Sequence, residues 1–252
     1  MPQLTKKSKP DNNLLPTKSR VSTNMILTLV VLVVAVAVIS GVLVVNRDNP
    51  SAVQGPGVAA DVLHRPDSHL LSEATDVKVT VVEFLDYQCP ACAGYYQNIT
   101  KKLEQDYAGR ITFVARNFPL MNHPLAVPAA QAAEAAAIQG KYRQMYDALY
   151  DTYASWALQP DGKQLSSDLA HAQVHFDTLA RQIGLDLDRF HRDSNSAEIG
   201  QRIEQDRADG TTAGVNGTPT IFVNGNKFAG TGKTWAEIDQ QLRALIDQEL
   251  AP

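Results

Sequence analysis

The chain of 252 residues is poor in several things, and each shortage excludes a class of function. It has no excess of positive charge, with 23 Lys and Arg against 27 Asp and Glu and a formal net charge of −4. Affinity for phosphate backbones rests on a basic surface, so a general nucleic-acid binder is not expected. No Gly-x-Ser-x-Gly motif is present to suggest a serine hydrolase. No repeat of about 20–50 residues suggests a solenoid. There are only two cysteines, Cys89 and Cys92. A disulfide between them would close a very short loop and remove little entropy from the unfolded chain, so stability is a poor reason to keep the pair. Redox chemistry or metal binding remain.

What is present is ordinary for a folded domain, 44% hydrophobic and 20% charged, apart from one run. Residues 25–45, "MILTLVVLVVAVAVISGVLVV", carry no charge and no polar stripe. A helix of that length spans a hydrocarbon core of about 30 Å. Lys6, Lys7, Lys9, Lys18 and Arg20 precede it, while Arg47 follows. This places residues 1–24 in the cytoplasm as a basic tail and the remainder outside. The run is longer than the apolar stretch of a signal peptide and lacks an adjacent small-x-small site, so an uncleaved single-pass anchor is expected over a cleaved leader. In either case the cysteines lie in an oxidising compartment. Residues 46–60 read as a flexible tether, rich in Pro, Gly, Asn and Ser, and 61–252 as the folded domain.

Within that domain "VKVTVVEFLD" (77–86) suits a strand buried on both faces, the Cys pair opens a helix ending near Gly109, and "ITFVARNF" (111–118) is a second, parallel strand. A helical block follows, about 120–213. Tyr142, Met145, Tyr146, Leu149, Tyr150 and Tyr153 recur at helical spacing and read as a packed face, with a peptide-binding surface as the alternative. Asn224-Gly225 marks a hairpin, and Thr234 with Glu237 has the spacing of a capping box at the head of a last helix. The fold class is α/β: a thioredoxin-like sheet with an inserted helical domain, preceded by one transmembrane helix.

The chemistry follows from where the pair sits. Cys89 lies at a helix N-terminus, with Pro90 in the first turn, where a missing N–H costs nothing. The free N–H groups and the helix dipole favour a thiolate, the species that attacks disulfides. Cys92, one turn on, faces inward as the resolving thiol. Pro90-Ala91 brings no extra side-chain donor, and an oxidant is expected. Strand alternation puts Glu83 on the side of the cysteines. It reads either as a buried carboxyl with a raised pKa that moves protons for Cys92, or as a sheet-edge residue in water. Thr218-Pro219 heads a strand: a cis bond would present the Thr218 backbone to a substrate peptide, whereas a trans bond would mark an ordinary loop.

"VVEFLDYQCPAC", "FPLMNHPLAVPAAQAAEAA", "QGKYRQMYDALY" and "GTPTIFVNG" together resemble the DsbA-like thiol–disulfide oxidoreductases, above all the membrane-tethered bacterial oxidants. The likeness covers about 63–250. It implies a thioredoxin fold, Cys89 as nucleophile, Cys92 as resolving thiol, Glu83 as buried acid, and Pro219 as a cis-proline with Thr218 before it. It also implies disulfide donation to unfolded exported proteins and reoxidation by a membrane quinone-linked protein. Ala91 departs from the best-known pattern, which has histidine there. No cofactor is expected beyond the Cys89–Cys92 disulfide, and a monomer is expected because no dimerisation domain is visible.

Two rivals stand beside this reading. One is a reductase or isomerase on the same fold. The other is a membrane-tethered copper-binding module, since two thiolates suit Cu(I), with His123 the first histidine to suspect. Capping or solvation is the expected role of His123, and His171, His175 and His191 read as solvated.

Overall fold

A computed structural model describes residues 57–252. The basic tail, the apolar run 25–45 and all but the last four residues of the tether lie outside the described residues. Among the described residues no helix is long and apolar enough to cross a membrane. The elements in order are α1 (Ala60–Leu63), β1 (His69–Ser72), β2 (Thr80–Leu85), and a helix in three parts: α2 (Pro90–Tyr95), a π-helical turn (Tyr96–Thr100) and α3 (Lys101–Asp106). Then come β3 (Thr112–Asn117), α4 (Ala126–Ile138), α5 (Tyr142–Asp151), α6 (Tyr153–Trp156), α7 (Leu169–Gln182), α8 (Leu187–Ser194) and α9 (Ala197–Thr212). The chain closes with β4 (Thr220–Val223), β5 (Asn226–Lys227) and α10 (Trp235–Leu250).

The five strands form one sheet in the order β1-β3-β2-β4-β5. β2 and β3 are parallel, joined across the α2–α3 helix, and the other three pairings are antiparallel. β2 is the centre of the sheet, and all its residues after Thr80 are buried. Its alternation divides the core. Val81 and Leu85 face a large cluster under the α2–α3 helix, the helical block and α10, while Val82 and Phe84 face a smaller cluster with Phe118, Val215 and Phe222. Glu83 shares the side of Val81 and Leu85, the side of the cysteines. The sheet-edge alternative for Glu83 is thereby removed: it pairs with Ala115 on one side and Ile221 on the other.

The helical block lies between β3 and β4. Gly140 (φ 70°) takes the left-handed conformation that ends α4. The stripe on α5 is a packed face, with Tyr142, Met145, Tyr146, Leu149 and Tyr150 all buried. The capping box of α10 is formed, the Thr234 hydroxyl accepting from the Glu237 N–H and the Glu237 carboxylate accepting from the Thr234 N–H. Arg116 on β3, 1% exposed, ties the block to the sheet: Nε donates to Asp206 at 2.8 Å, one terminal nitrogen to Asp209 at 2.6 Å, and the other to the Val62 and Leu63 carbonyls. Removing one partner of such a buried pair leaves an uncompensated charge, at about 3–5 kcal/mol.

The structure departs from the sequence reading at several places. The end of the tether is docked, for the Val58 N–H donates to the Gly225 carbonyl at 2.7 Å. Gly225 sits at φ 83°, and a Cβ there would lie 2.9 Å from the Val58 oxygen, so the hairpin tip accepts both the turn and the incoming chain only as glycine. The edge strand β1 and the short helix α8 carry too few periodic residues to have been predicted. Pro128 is of a type that could start a helix, but α4 begins two residues earlier, at Ala126, which puts Pro128 at its third position.

Gly210 on α9 faces the smaller core cluster, where a Cβ would lie 2.7 Å from one carbon of the Phe118 ring and 3.0 Å from the Phe84 ring. Replacing glycine by alanine in a helix gains about 1 kcal/mol, whereas overpacking a filled core costs about 1–3 kcal/mol. Gly210→Ala is therefore expected to lower Tm on balance. A Tm above that of the parent in a thermal melt would show that α9 is not held this tightly.

Candidate functional site

The site is built where β2 ends and the α2–α3 helix begins. Cys89 is the N-cap of α2, with extended backbone (φ −70°, ψ 122°) and Pro90 directly inside the helix. The sulfur thus meets the open N–H groups of the first turn. Both cysteines are free thiols here. The pKa of Cys89 is lowered to about 6. The main cause is a hydrogen bond from the Cys92 thiol, opposed by burial and aided by the Thr218 side chain and the Cys92 and Ala91 N–H groups. Cys92 is fully buried, and burial pushes its own thiol well above the ordinary value. The two sulfurs therefore ionise very differently.

A sulfur at a helix N-terminus is expected to be exposed, and the structure contradicts this: Cys89 is buried, at 5% exposed. It is covered by the loop before β4, where the Thr218-Pro219 bond is cis. The Cys89 thiol donates to the Thr218 carbonyl at 3.3 Å. The Thr218 hydroxyl has no hydrogen-bond partner among the described residues, so its proton is available to the thiolate.

Glu83 lies beneath the pair and is 1% exposed. Burial raises its pKa to about 8, with the charge of Glu104 adding to the effect and a hydrogen bond from the Thr100 hydroxyl (3.4 Å) opposing it. The structure thus brings Cys89, Cys92, Glu83, Thr218 and Pro219 to one place.

Sequence reading missed the residues that hold this place together. The buried Asp86 carboxylate accepts from the Gln88 N–H (2.7 Å) and the Leu120 N–H (2.9 Å) and pairs with His123 Nδ1 at 2.7 Å. His123 is thus not solvated: its ring is 8% exposed and fastens the loop after β3 to the active-site turn. Gln88 is fully satisfied, its amide donating to the Ala157 and Ser166 carbonyls and its oxygen accepting from the Leu125 N–H. The Tyr153 hydroxyl donates to the Gln88 carbonyl at 2.8 Å. The available signal was two polar side chains, Asp86 and Gln88, set directly between a buried strand and the Cys pair. His175 is half-buried and bonds Thr152, whereas His171 and His191 are exposed. Among the described residues no group of three or more His, Cys, Asp and Glu is placed to hold a metal.

Because the Cys92 thiol is the main support of the Cys89 anion, Cys92→Ala is expected to move the Cys89 midpoint up from about 6 towards an ordinary thiol value. Thiolate absorbance at 240 nm against pH reads this directly, and an unchanged midpoint would assign the effect to the helix end alone.

Comparison with known proteins places this geometry in a family. A family model described as thioredoxin matches residues 72–248. Two curated relatives are the Na(+)/H(+) antiporter NhaA 3 of Salinispora tropica and NhaA 1 of Salinispora arenicola. The first is 36% identical over 188 residues, 74% of this chain and 26% of that protein. The second is 35% identical over 167 residues, 66% of this chain and 23% of that protein. The chain thus spans about a quarter of the length of the curated relatives it matches. Among solved structures, a thioredoxin-like oxidoreductase from Silicibacter pomeroyi is 28% identical, with a TM-score of 0.58 over 76% of this chain and 97% of that one. BdbD from Bacillus subtilis shares the fold at 22% identity, with a TM-score of 0.59 over 77% of this chain and 96% of that one. The chain belongs to the thioredoxin family.

Proposed function

We propose that this protein is a membrane-tethered, extracytoplasmic thiol–disulfide oxidoreductase that donates its Cys89–Cys92 disulfide to exported proteins. The observation that carries the reading is the contrast within the pair: an outer sulfur with a pKa of about 6 beside an inner sulfur held far above the ordinary value. Stabilising the outer thiolate favours the reduced pair and so makes the disulfide the more oxidising partner. The uncharged run at 25–45 with its basic N-terminal flank supports the tether and the outward orientation.

A substrate thiolate attacks Cys89 of the disulfide, Cys92 leaves as a thiolate and takes a proton from Glu83, and a second substrate thiolate attacks the substrate sulfur of the mixed disulfide. The substrate is oxidised by two electrons and the pair becomes a dithiol. In reoxidation the dithiol pair passes its two electrons on to a membrane quinone-linked partner and closes again to the disulfide. When Cys89 is ionised its donor to Thr218 is gone, and the Thr218 carbonyl is free to accept an N–H from an extended substrate backbone.

Cys89→Ser is expected to abolish transfer and Cys92→Ser to trap mixed disulfides, both read by gel shift with a reduced, unfolded substrate. Full activity of Cys89→Ser would end the proposal. Equilibration of the pair with glutathione sorts direction: a potential near or above about −180 mV marks an oxidant, and one near about −270 mV a reductase.

A further inference from the structure

The buried acid under the pair does not face solvent or a lysine; it faces a second buried acid. Thr100, fully buried in the π-helical turn, donates to Glu83 at 3.4 Å. One turn further along the same helical face stands Glu104, 4% exposed, with one carboxylate oxygen against Arg143 and no hydrogen bond to the other among the described residues. Its charge partner is Arg143 of α5, which also pairs with Asp147 at 3.0 Å and whose side chain is 40% exposed. Glu83, Thr100, Glu104 and Arg143 thus form a line from the buried cysteine to water. The line passes along the one segment of the active-site helix that is wound as a π turn, a feature often kept at functional positions.

We propose that Glu104 is a positioning residue for the thiol–disulfide chemistry, the outer carboxylate of a two-acid path that sets the proton affinity of Glu83 and carries its proton to solvent beside Arg143. This rests on the thiol–disulfide reading above. When a mixed disulfide on Cys89 is resolved, Cys92 Sγ bonds to the Cys89 sulfur, the departing sulfur leaves as a thiolate, and the Cys92 proton goes to Glu83. A proton then leaves through Glu104 to water. In substrate oxidation, where Cys92 is released as a thiolate, the same path runs inward.

Every group that faces the two acids fits the assignment. β3 and β4 offer Glu83 only Ala115 and Ile221. Around it stand the thiols of Cys89 and Cys92 and the hydroxyls of Tyr87, Tyr95, Tyr146 and Tyr150. Burial holds all four of those hydroxyls far above neutral titration, so they remain protonated. Glu104 faces Arg143, Asp147 and the Tyr146 hydroxyl. Burial lifts Glu104 to about 7 against the pull of Arg143, next to about 8 for Glu83. Two carboxyls that titrate near neutrality and near each other pass a proton with little loss of driving force.

The test uses the full chain. The rate at which Cys92 resolves a Cys89 mixed disulfide is measured from pH 5 to 9, and the Glu83 carboxyl is titrated by carbon-13 NMR. The parent is compared with Glu104→Gln, Glu104→Asp and Thr100→Val. Glu104→Gln removes a like charge and is expected to shift both the Glu83 midpoint and the rate profile to lower pH, by about one unit. Glu104→Asp keeps the charge and is expected to keep the parent profile. Thr100→Val removes a donor to the carboxylate and is expected to shift the midpoint the other way, which keeps the proposal testable should Glu104→Gln not fold. A Glu83 midpoint unmoved by Glu104→Gln or Thr100→Val, or a uniform loss of rate with an unmoved profile, would overturn it. Failure of the parent to resolve mixed disulfides at all would instead count against the thiol–disulfide reading, while the NMR titration still decides whether the two acids are coupled.

Discussion

One electrostatic pairing organises the site: the buried thiol of Cys92, set beside Cys89, is the main influence that holds the Cys89 sulfur ionised. Much else in the structure serves to keep that thiol protonated and that sulfur ionised. Cys92 stays a thiol because it is fully buried. Cys89 stays anionic because it caps a helix whose first N–H groups have no other acceptor. Burial works against Cys89 as well as against Cys92, and the donors at Cys89 win because there are several of them. A helix end without the second cysteine would supply only part of the effect.

Holding a sulfur within reach of its donors requires a stiff turn, and the turn is stiffened by polar side chains rather than by apolar packing. The Asp86 carboxylate collects two N–H groups and His123, and Gln88 spends both ends of its amide on three residues of two segments. These contacts reach the loop after β3 and the segment between α6 and α7. The turn that carries Cys89 is therefore a junction of loops, each fixed to the others. A polar group this deep is costly when unpaired, so a satisfied junction resists rearrangement. That resistance holds the Cys89 sulfur in a fixed position beside its donors.

Features written in local pattern were legible in the sequence: the buried strand before the cysteines, the Cys-x-x-Cys helix opening, the tyrosine stripe of α5, the Asn224-Gly225 turn and the Thr234 capping box. What was not legible depends on contacts between distant segments. Nothing local in "MNHP" shows that His123 closes on Asp86, 37 residues earlier. β1 is four residues long and exists because β3 offers it an edge. The docking of Val58 needs the hairpin tip to be in place first. Cys89 was expected to be exposed from its position at a helix end, and it is nearly covered because the Thr218-Pro219 loop returns over it from 129 residues away.

The helical block changes meaning in this light. A thioredoxin sheet with its first helix would leave the acid beneath the cysteines partly open to solvent on one flank. Here α5 closes that flank with Tyr146 and Tyr150, both buried, and contributes Arg143 at the rim. The apolar wall supplies the burial that raises Glu83 and Glu104, and Arg143 tempers it at Glu104. Tyr150 also donates from its hydroxyl to the Asp86 carbonyl, so the same helix supports the turn on which Cys89 sits. The insertion is thus a wall of the active site, and substitutions on the inward face of α5 act on the chemistry of the cysteines through dielectric and charge without touching a substrate.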